Sequence, residues 1–280
     1  MIKPRKQFAQ HWLKSEKALN QIIQAAEITT SDRILEIGPG TAILTRRLLP
    51  LASSVVAVEI DRDLCELIAK QLGKKENFLL LQGDFLSLDL ASLLVPFPAF
   101  QKPNKVVANI PYNITGPILE KLLGTIANPN PEPFDSIVLL VQKEVAERLY
   151  ARPHSRAFGA LSVKVQYLAD CELICIVPAG AFHPPPKVDS AVVRLRQSQI
   201  SPPAKDPQRL ETLVQMGFSA KRKMLRNNLQ AVVDRDRLTQ ILGQLEINCS
   251  ARAEELSVAQ WVALANELWM MNAEWCKIEA

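Results

Sequence analysis

Short apolar runs that alternate with helical patterns are the feature that most restricts how this chain can fold. Five runs of mainly aliphatic residues have the length of buried strands, at 33–37, 54–58, 77–82, 106–108 and 136–142. Apolar residues recur at helical spacing in four of the intervening or following segments, at 41–49, 61–72, 115–123 and 143–151. Strands that alternate with helices usually pair in parallel, with helices on both faces of the sheet. The sequence therefore predicts an α/β fold with a mostly parallel sheet.

Two more apolar runs, 171–177 and 190–195, extend this predicted sheet to seven strands. The loop between them contains Pro184, Pro185 and Pro186 and is too short for a crossover helix. We therefore expect the two strands to pair antiparallel at one edge. Residues 161–168 are predicted to form a helix, and residues 15–28 another, with Ser15 as its N-cap.

The character of the sequence changes after Arg196. Residues 197–208 are polar and hold three prolines, which is typical of a linker. Asp206 followed by Pro207 then predicts a helix start, and the remaining pattern is helical throughout. The sequence thus predicts two domains, an α/β domain at 1–198 with an N-terminal segment and a small all-α domain at 199–280.

The bulk composition argues against several classes of protein. Five cysteines, an odd number without zinc spacing, and three scattered histidines predict reduced thiols and no metal site. The N-terminus lacks an apolar signal region, and no apolar run reaches membrane-spanning length. We therefore expect a cytoplasmic protein. A net charge of +4 permits a nucleic-acid partner without establishing one.

A cofactor site is predicted at the ends of the first three strands. Gly38 follows the first strand, Glu59 ends the second, and Asp84 follows the third. Glycine permits close approach of a ligand, a carboxylate at Glu59 can accept hydrogen bonds from ribose hydroxyls, and Asp84 can accept from an adenine amino group. Ile43 stands where a dinucleotide fingerprint needs its third glycine, which favours S-adenosylmethionine over a nicotinamide cofactor.

The tetrapeptide Asn109-Ile110-Pro111-Tyr112 follows the fourth apolar run and predicts a site for a planar amino group. The Asn109 side-chain oxygen and the Ile110 carbonyl can accept hydrogen bonds from such a group. Pro111 stiffens the turn, and Tyr112 offers a ring face to a base that has left its stack. The competing interpretation of these four residues alone is an ordinary Asn-Pro turn.

At this point the sequence resembles the KsgA-type (RsmA) ribosomal RNA small-subunit adenine dimethyltransferases over nearly its whole length. The shared segments are 5–13, 36–40, 109–112, 142–145, 182–192 and 218–229. This resemblance implies a class I, Rossmann-like methyltransferase with a seven-stranded sheet and a helical, RNA-binding C-terminal domain. It implies dimethylation at N6 of two adjacent adenosines in the 3′-terminal hairpin loop of 16S rRNA, within the immature small ribosomal subunit, and a role in subunit biogenesis.

The resemblance also implies roles for individual residues. The segment around His11 and Leu13 covers the methionine end of S-adenosylmethionine. The cofactor pocket is completed by four residues: Gly38, Glu59, Asp84 and Asn109. Around the target adenine lie Asn109, Ile110, Tyr112 and Phe182, with Phe182 stacking on the side opposite to Tyr112. A basic helix face for RNA contains Lys221, Arg222, Lys223 and Arg226.

The chain departs from the family pattern in its N-terminal segment, where Ala9, His11 and Trp12 replace the usual glycine, asparagine and phenylalanine. Two alternatives remain open from the sequence. One is an Erm-type enzyme that dimethylates 23S rRNA, which the triple-proline loop and the Lys-Arg-Lys segment disfavour. The other is a mainly non-catalytic ribosome assembly factor. We expect a monomer.

Overall fold

The computed structural model describes residues 4–5, 10–198, 200–220 and 222–278, with the backbone alone for 270–278. Nine strands form within these residues: β1 (Trp12–Leu13), β2 (Arg33–Ile37), β3 (Ser54–Glu59), β4 (Phe78–Gln82), β5 (Lys105–Asn109), β6 (Ser136–Gln142), β7 (Ala169–Val177), β8 (Phe182–His183) and β9 (Ser190–Gln197). The α-helices in the described part are α1 (Glu16–Ala26), α2 (Thr45–Leu48), α3 (Arg62–Leu72), α4 (Leu90–Leu94), α5 (Thr115–Leu123), α6 (Lys143–Leu149), α7 (Ala160–Leu168), α8 (Pro207–Gly217), α9 (Leu225–Asn228), α10 (Arg235–Gln244) and α11 (Val258–Ile278).

Seven strands form one sheet in the order β4-β3-β2-β5-β6-β9-β7. The pairs β3–β4, β2–β3, β2–β5 and β5–β6 are parallel, and β9 runs antiparallel to β6. Every residue of β3 is buried, as expected for a parallel strand that is covered on both faces. The predicted seven-stranded, mostly parallel sheet is confirmed, and β7 and β9 are neighbours at one edge.

The order of the strands creates a crevice between β2 and β5. From β2 the chain moves outward through β3 to β4, and it then returns to β5 on the other side of β2. Connections that leave in opposite directions open a gap above the carboxyl ends of the two strands, which is where open α/β sheets bind ligands. The tips of β2 to β5 are thus the expected place for a site.

Helix boundaries follow local capping chemistry. Ser15 accepts a hydrogen bond from the Ala18 amide at 3.3 Å and starts α1, and Asp61 accepts from the Asp63 amide at 3.1 Å and starts α3. The predicted helix at 41–49 is shorter than expected and comprises α2 alone. Ala42 has a φ of 61°, which no α-helix tolerates, so the chain makes turns before Thr45.

A buried carboxylate stabilises the amino-terminal edge of the sheet. Asp32 accepts hydrogen bonds from Lys105 Nζ at 2.9 Å, Asn104 Nδ2 at 2.8 Å and the Thr29 amide at 2.7 Å. Burial by itself raises the pKa of Asp32, but these hydrogen bonds outweigh it and lower the pKa to about 2. The carboxylate is therefore ionised and fully bonded at neutral pH.

The chain forms two compact units. The first contains residues up to 122, 132–146 and 171–197, and the second contains 123–131, 147–170 and the residues from 198 onward. The chain leaves the first unit for the last time at Gln197, beside the predicted boundary at 198/199, but the second unit also takes two earlier segments. It has its own core, in which Trp261 is fully buried. Among the residues that the structure describes, none of the helices combines the length and the hydropathy that a membrane span requires.

Candidate active site

A cavity lies at the carboxyl ends of β2, β3, β4 and β5, and its empty space, including the part open to solvent at the mouth, is about 970 Å³. Its lining includes eight of the nine predicted cofactor or base-binding residues, all but Phe182: His11, Leu13, Gly38, Glu59, Asp84, Asn109, Ile110 and Tyr112. Residues as far apart in the sequence as His11 and Tyr112 therefore meet in one place, because the parallel strands end at the same edge of the sheet.

The turn after β2 brings backbone close to the cavity. Gly38 and Gly40 have φ values of 67° and 58°, in the left-handed region that favours glycine. A Cβ atom on Gly40 would lie 3.2 Å from Cδ1 of Trp12, which is tighter than most side-chain contacts. The two glycines therefore leave room both for the turn and for the N-terminal segment that covers it.

Glu59 ends β3 with a carboxylate whose orientation is set by the backbone. Its Oε1 accepts from the Asp61 amide at 2.9 Å, and its Oε2 accepts from the Gly40 amide at 3.1 Å. Burial raises the pKa of this carboxyl group, and the two amide hydrogen bonds oppose that effect. Each oxygen keeps a second lone pair for a hydroxyl of a bound molecule.

The loop after β4 contributes Asp84 and Phe85. Asp84 Oδ1 accepts from the Leu86 amide at 3.0 Å, and this hydrogen bond fixes the orientation of the carboxylate within the turn. Asp84 also lines the cavity. Phe85 is buried and also lines the cavity. This wall thus combines an acidic acceptor with an apolar ring.

The N-terminal segment covers the cavity through a second, two-stranded sheet. In it, β1 pairs antiparallel with β8, with Trp12 opposite His183 and Leu13 opposite Phe182. His11 Nδ1 donates to the carbonyl of Pro184 at 2.8 Å. The cover is therefore bonded to the proline-rich loop.

The tip of β5 places Asn109 between the cover and the cavity. Asn109 Nδ2 donates to the His11 carbonyl at 3.2 Å, which turns the acceptor atom Oδ1 away from that contact. Pro111 has φ −60° and ψ 131° and leads into a 3-10 turn at Tyr112–Ile114. The tetrapeptide therefore forms a stiff turn in which the orientation of the Asn109 side-chain amide is fixed by its hydrogen bond to His11.

Tyr112 lies beside His11 in the cavity wall. The two rings are stacked, with centroids 5.8 Å apart and planes at 20°. The hydroxyl groups of Tyr112 and the buried Ser190 are 2.5 Å apart. Burial raises the pKa of Tyr112, so its hydroxyl is neutral at physiological pH.

Phe182 differs from the sequence-based expectation. Its side chain is only 1% exposed, belongs to the main core of the first unit and is not part of the cavity lining. The pairing of Leu13 with Phe182 holds this residue beneath the N-terminal cover. In this structure Phe182 is a core aromatic, and the ring next to Tyr112 is that of His11.

The predicted basic helix face is wrong in its secondary structure. Arg222 and Lys223 are exposed in a turn, and Arg226 alone lies in the four-residue helix α9. Met224 has an extended backbone, with φ −61° and ψ 147°, so α9 begins only after it. The residues before Met224 therefore lie outside the helix. Lys221 lies outside the described residues.

Sequence reasoning did not assign several of the lining residues to the site, among them Trp12, Glu36, Ile60 and Phe85. Ile60 is 45% exposed although it is a large aliphatic residue. Its position directly after Glu59 was the available signal that it lies at the cofactor site. Burial raises the pKa of Glu36 to about 8. The run at 33–37 predicts a buried strand, but no pattern in the sequence signals a raised pKa at this glutamate.

Two buried polar atoms on lining residues have no hydrogen-bond partner among the described residues, Trp12 Nε1 and Glu36 Oε2. Buried polar groups are nearly always bonded in folded proteins, so both atoms remain for a bound molecule: Trp12 Nε1 donates, and Glu36 Oε2 donates when the carboxyl group is protonated and accepts when it is ionised. Within the described part of the chain no group of three or more His, Cys, Asp or Glu side chains is placed to hold a metal ion.

The parallel sheet, its strand-tip cavity and the glycine turn followed by an acidic strand end define a class I, Rossmann-like methyltransferase. A model of the family described as ribosomal RNA adenine dimethylase matches residues 1–269. The chain belongs to this family. These findings confirm the predicted fold class, family, enzyme class and cofactor, S-adenosylmethionine.

Individual proteins show the same similarity. The chain is 78% identical over 268 residues to ribosomal RNA small subunit methyltransferase A of Trichormus variabilis, covering 96% of this chain and 99% of that protein. The crystal structure of a dimethyladenosine transferase from Plasmodium falciparum is similar with a TM-score of 0.78 at 28% identity, covering 94% and 98% of the two chains. The 23S rRNA methyltransferase ErmE is similar with a TM-score of 0.71 at 27% identity, covering 92% and 99%.

Proposed function

We propose that this chain transfers methyl groups from S-adenosylmethionine to N6 of two adjacent adenosines in the 3′-terminal hairpin loop of 16S rRNA. The observation that carries the proposal is the position of Asn109, whose oriented amide opens onto the same cavity as Gly38, Glu59 and Asp84. An acceptor for an amino group and a nucleoside-sized pocket are thereby neighbours.

The lining of the cavity fits an adenosine-bearing methyl donor. Glu59 would accept from the ribose hydroxyls, Asp84 from the adenine amino group, and the exposed Ile60 side chain would contact the base. Gly38 and Gly40 let the backbone approach the methionine part, which His11 and Leu13 would cover. When bound, the sulfonium supplies an electrophilic methyl group.

Asn109 and Ile110 would position the target nitrogen. The lone pair of an adenine amino group is delocalised into the ring, which makes the nitrogen a weak nucleophile. Acceptors at Asn109 Oδ1 and the Ile110 carbonyl would bind its two N–H groups and favour a more pyramidal nitrogen. Since Asn109 Nδ2 is already bound to the His11 carbonyl, its Oδ1 needs no reorientation for this task.

Tyr112 would hold the flipped base by its ring face. The hydroxyl of Tyr112 is bonded to Ser190, which fixes the ring plane, and its raised pKa keeps it neutral. The base would either lie beside His11 or displace it from Tyr112, because the present 5.8 Å separation of the two rings is too narrow for an inserted base. No covalent nucleophile is required, and the methylated ammonium can release its proton to water.

RNA would be held outside the cavity by cations of the second unit. Arg222 and Lys223 are exposed, and Arg226 follows three positions after Lys223. Phosphate contacts made by such residues release counterions, so affinity should fall as salt concentration rises. We further propose that the substrate is the immature small subunit, that the protein acts as a monomer in the cytoplasm, and that the 199–280 domain serves RNA binding.

An Erm-type activity on 23S rRNA is the second candidate, because ErmE has a similar fold over most of its length. The identity of 78% to a small subunit methyltransferase favours 16S rRNA. The deciding experiment measures methyl incorporation into undermethylated small subunits, large-subunit RNA and DNA. Incorporation of about two methyl groups per adenine in small subunits alone is expected. Incorporation only into large-subunit RNA would support the Erm-type activity, and none in any substrate would favour an assembly factor.

A further inference from the structure

Lys121 connects two parts of the cavity that the sequence places far apart. It lies on α5, which begins directly after the 3-10 turn that contains Tyr112. Its Nζ donates to the backbone carbonyls of Phe85, Leu86 and Leu88 at 2.6, 3.1 and 2.6 Å. One ammonium group therefore holds three carbonyls of the loop that carries Asp84.

These three hydrogen bonds use all three donors of the lysine ammonium. In the described residues no backbone amide donates to the carbonyls of Phe85, Leu86 or Leu88 outside regular secondary structure. The rest of the loop is fixed from within, since the Leu88 amide donates to the Asp84 carbonyl at 3.0 Å. Without Lys121 the far side of this loop would lose its main anchor.

Lys121 also supports the apolar part of the wall. Its Nζ lies 5.0 Å from the centroid of the Phe85 ring, within the range of cation–π attraction. Phe85 is 6% exposed and lines the cavity beside Asp84. Both the position of the Asp84 carboxylate and the plane of the Phe85 ring thus depend on a side chain that does not itself line the cavity.

We propose that Lys121 is a positioning residue for the adenine end of the cofactor site, acting through the backbone of residues 84–88. The inference rests on the proposed function, since it assumes that Asp84 and Phe85 receive the adenine of the methyl donor. Because α5 also follows the Asn109–Tyr112 turn, the same side chain ties the adenine wall to the helix behind the methyl-acceptor site.

Lys121→Met tests this role, since methionine keeps an unbranched apolar chain and removes all three donors. Calorimetry on the full chain measures binding of adenosine and of S-adenosylhomocysteine. We expect both dissociation constants to rise about ten-fold, the equivalent of about 1.4 kcal/mol, and the KM for S-adenosylmethionine to rise in proportion. The kcat at saturating cofactor should stay within about two-fold, because Asn109 and Tyr112 are unchanged.

Two further variants keep the test interpretable. Lys102→Met removes an exposed lysine that pairs with Glu132, and it should leave binding unchanged. Lys121→Arg retains the charge but replaces three tetrahedral donors by a planar fork, so its affinity should lie between those of the unsubstituted chain and Lys121→Met. It also supplies a folded variant should Lys121→Met not fold.

Adenosine binding within about two-fold of normal in Lys121→Met would overturn the inference. Where the methionine variant is unfolded, an affinity of Lys121→Arg equal to that of the unsubstituted chain would overturn it. A lower melting temperature with unchanged affinity would overturn it too, because that result assigns Lys121 to stability alone. If the unsubstituted chain bound neither adenosine nor S-adenosylhomocysteine, the proposed function and this inference would both fail.

Discussion

The substitution Asn109→Ala tests whether Asn109 positions the target nitrogen, because it should impair this role and leave the protein folded. It removes the Oδ1 acceptor that would hold the adenine amino group and the 3.2 Å hydrogen bond from Nδ2 to the His11 carbonyl. Asn109 is only partly buried at the tip of β5, whose pairing with β6 uses backbone groups. The protein should therefore stay folded.

The two lost contacts have different expected costs. Removing one hydrogen-bonding group aimed at a reacting centre typically lowers kcat by about 10²–10³, or about 2.7–4 kcal/mol in the barrier. The hydrogen bond to His11 is neutral and part-buried, so its loss should weaken cofactor binding by about 0.5–1.5 kcal/mol, at most about ten-fold in Kd. The main effect should thus fall on kcat.

The assay is steady-state methylation of undermethylated small subunits at saturating S-adenosylmethionine, which gives kcat, with calorimetry for cofactor affinity. Asn113→Ala is the matched control, since Asn113 is an exposed asparagine four residues further on, in the adjoining turn. A kcat near normal in Asn109→Ala would refute the assigned role. An equal loss in Asn113→Ala would show that the whole turn, and not the Asn109 amide, is responsible.

Three other outcomes are expected. Tyr112→Phe should lower the free energy of unfolding by about 1–3 kcal/mol, since it leaves the buried Ser190 hydroxyl without its partner. Tyr112→Ala should also weaken RNA binding by about 1–3 kcal/mol, because the stacking ring is lost. Equal RNA affinities of the Phe and Ala variants would contradict this. Asp32 has its pKa lowered from 3.8 to about 2, so its contribution is fully present above pH 4 and is lost as the pH falls towards 2. Urea unfolding should show a deficit of about 2 kcal/mol in Asp32→Asn at pH 7 that shrinks at pH 2.5, and a constant deficit would argue against the linkage. Reversing Arg222 and Lys223 to glutamate should weaken RNA binding and reduce the slope of log affinity against log salt by about 1–2, and an unchanged slope would remove both from the interface.

The parts of the fold that sequence reasoning predicted are those set by local pattern. The strands β2 to β6 have continuous apolar runs, and the ends of these strands fall together once the sheet is parallel, which brings Glu59 and Asn109 into one cavity. Caps at Ser15 and Asp61 are likewise readable, because they depend on side chains within three residues.

The parts that it did not predict depend on distant contacts or on backbone conformation. Phe182 is buried because β1 and β8 pair across some 170 positions, a contact that no local pattern signals. Helix α2 is short because Ala42 takes a positive φ, which is unusual for alanine and therefore invisible in the sequence. Residues 147–170 join the second unit through long-range packing with its core.

The pairing of β1 with β8 joins two segments of the chain that would contact different ligands, the methyl donor and the target base. The N-terminal segment covers the cavity, and it is joined to the proline-rich loop by main-chain hydrogen bonds and by the His11–Pro184 contact. Adding two methyl groups to one base requires a fresh donor molecule between the two transfers. A donor molecule that enters or leaves beneath this segment would disturb contacts that also hold the proline-rich loop, so donor exchange and the position of that loop would be coupled through one small sheet.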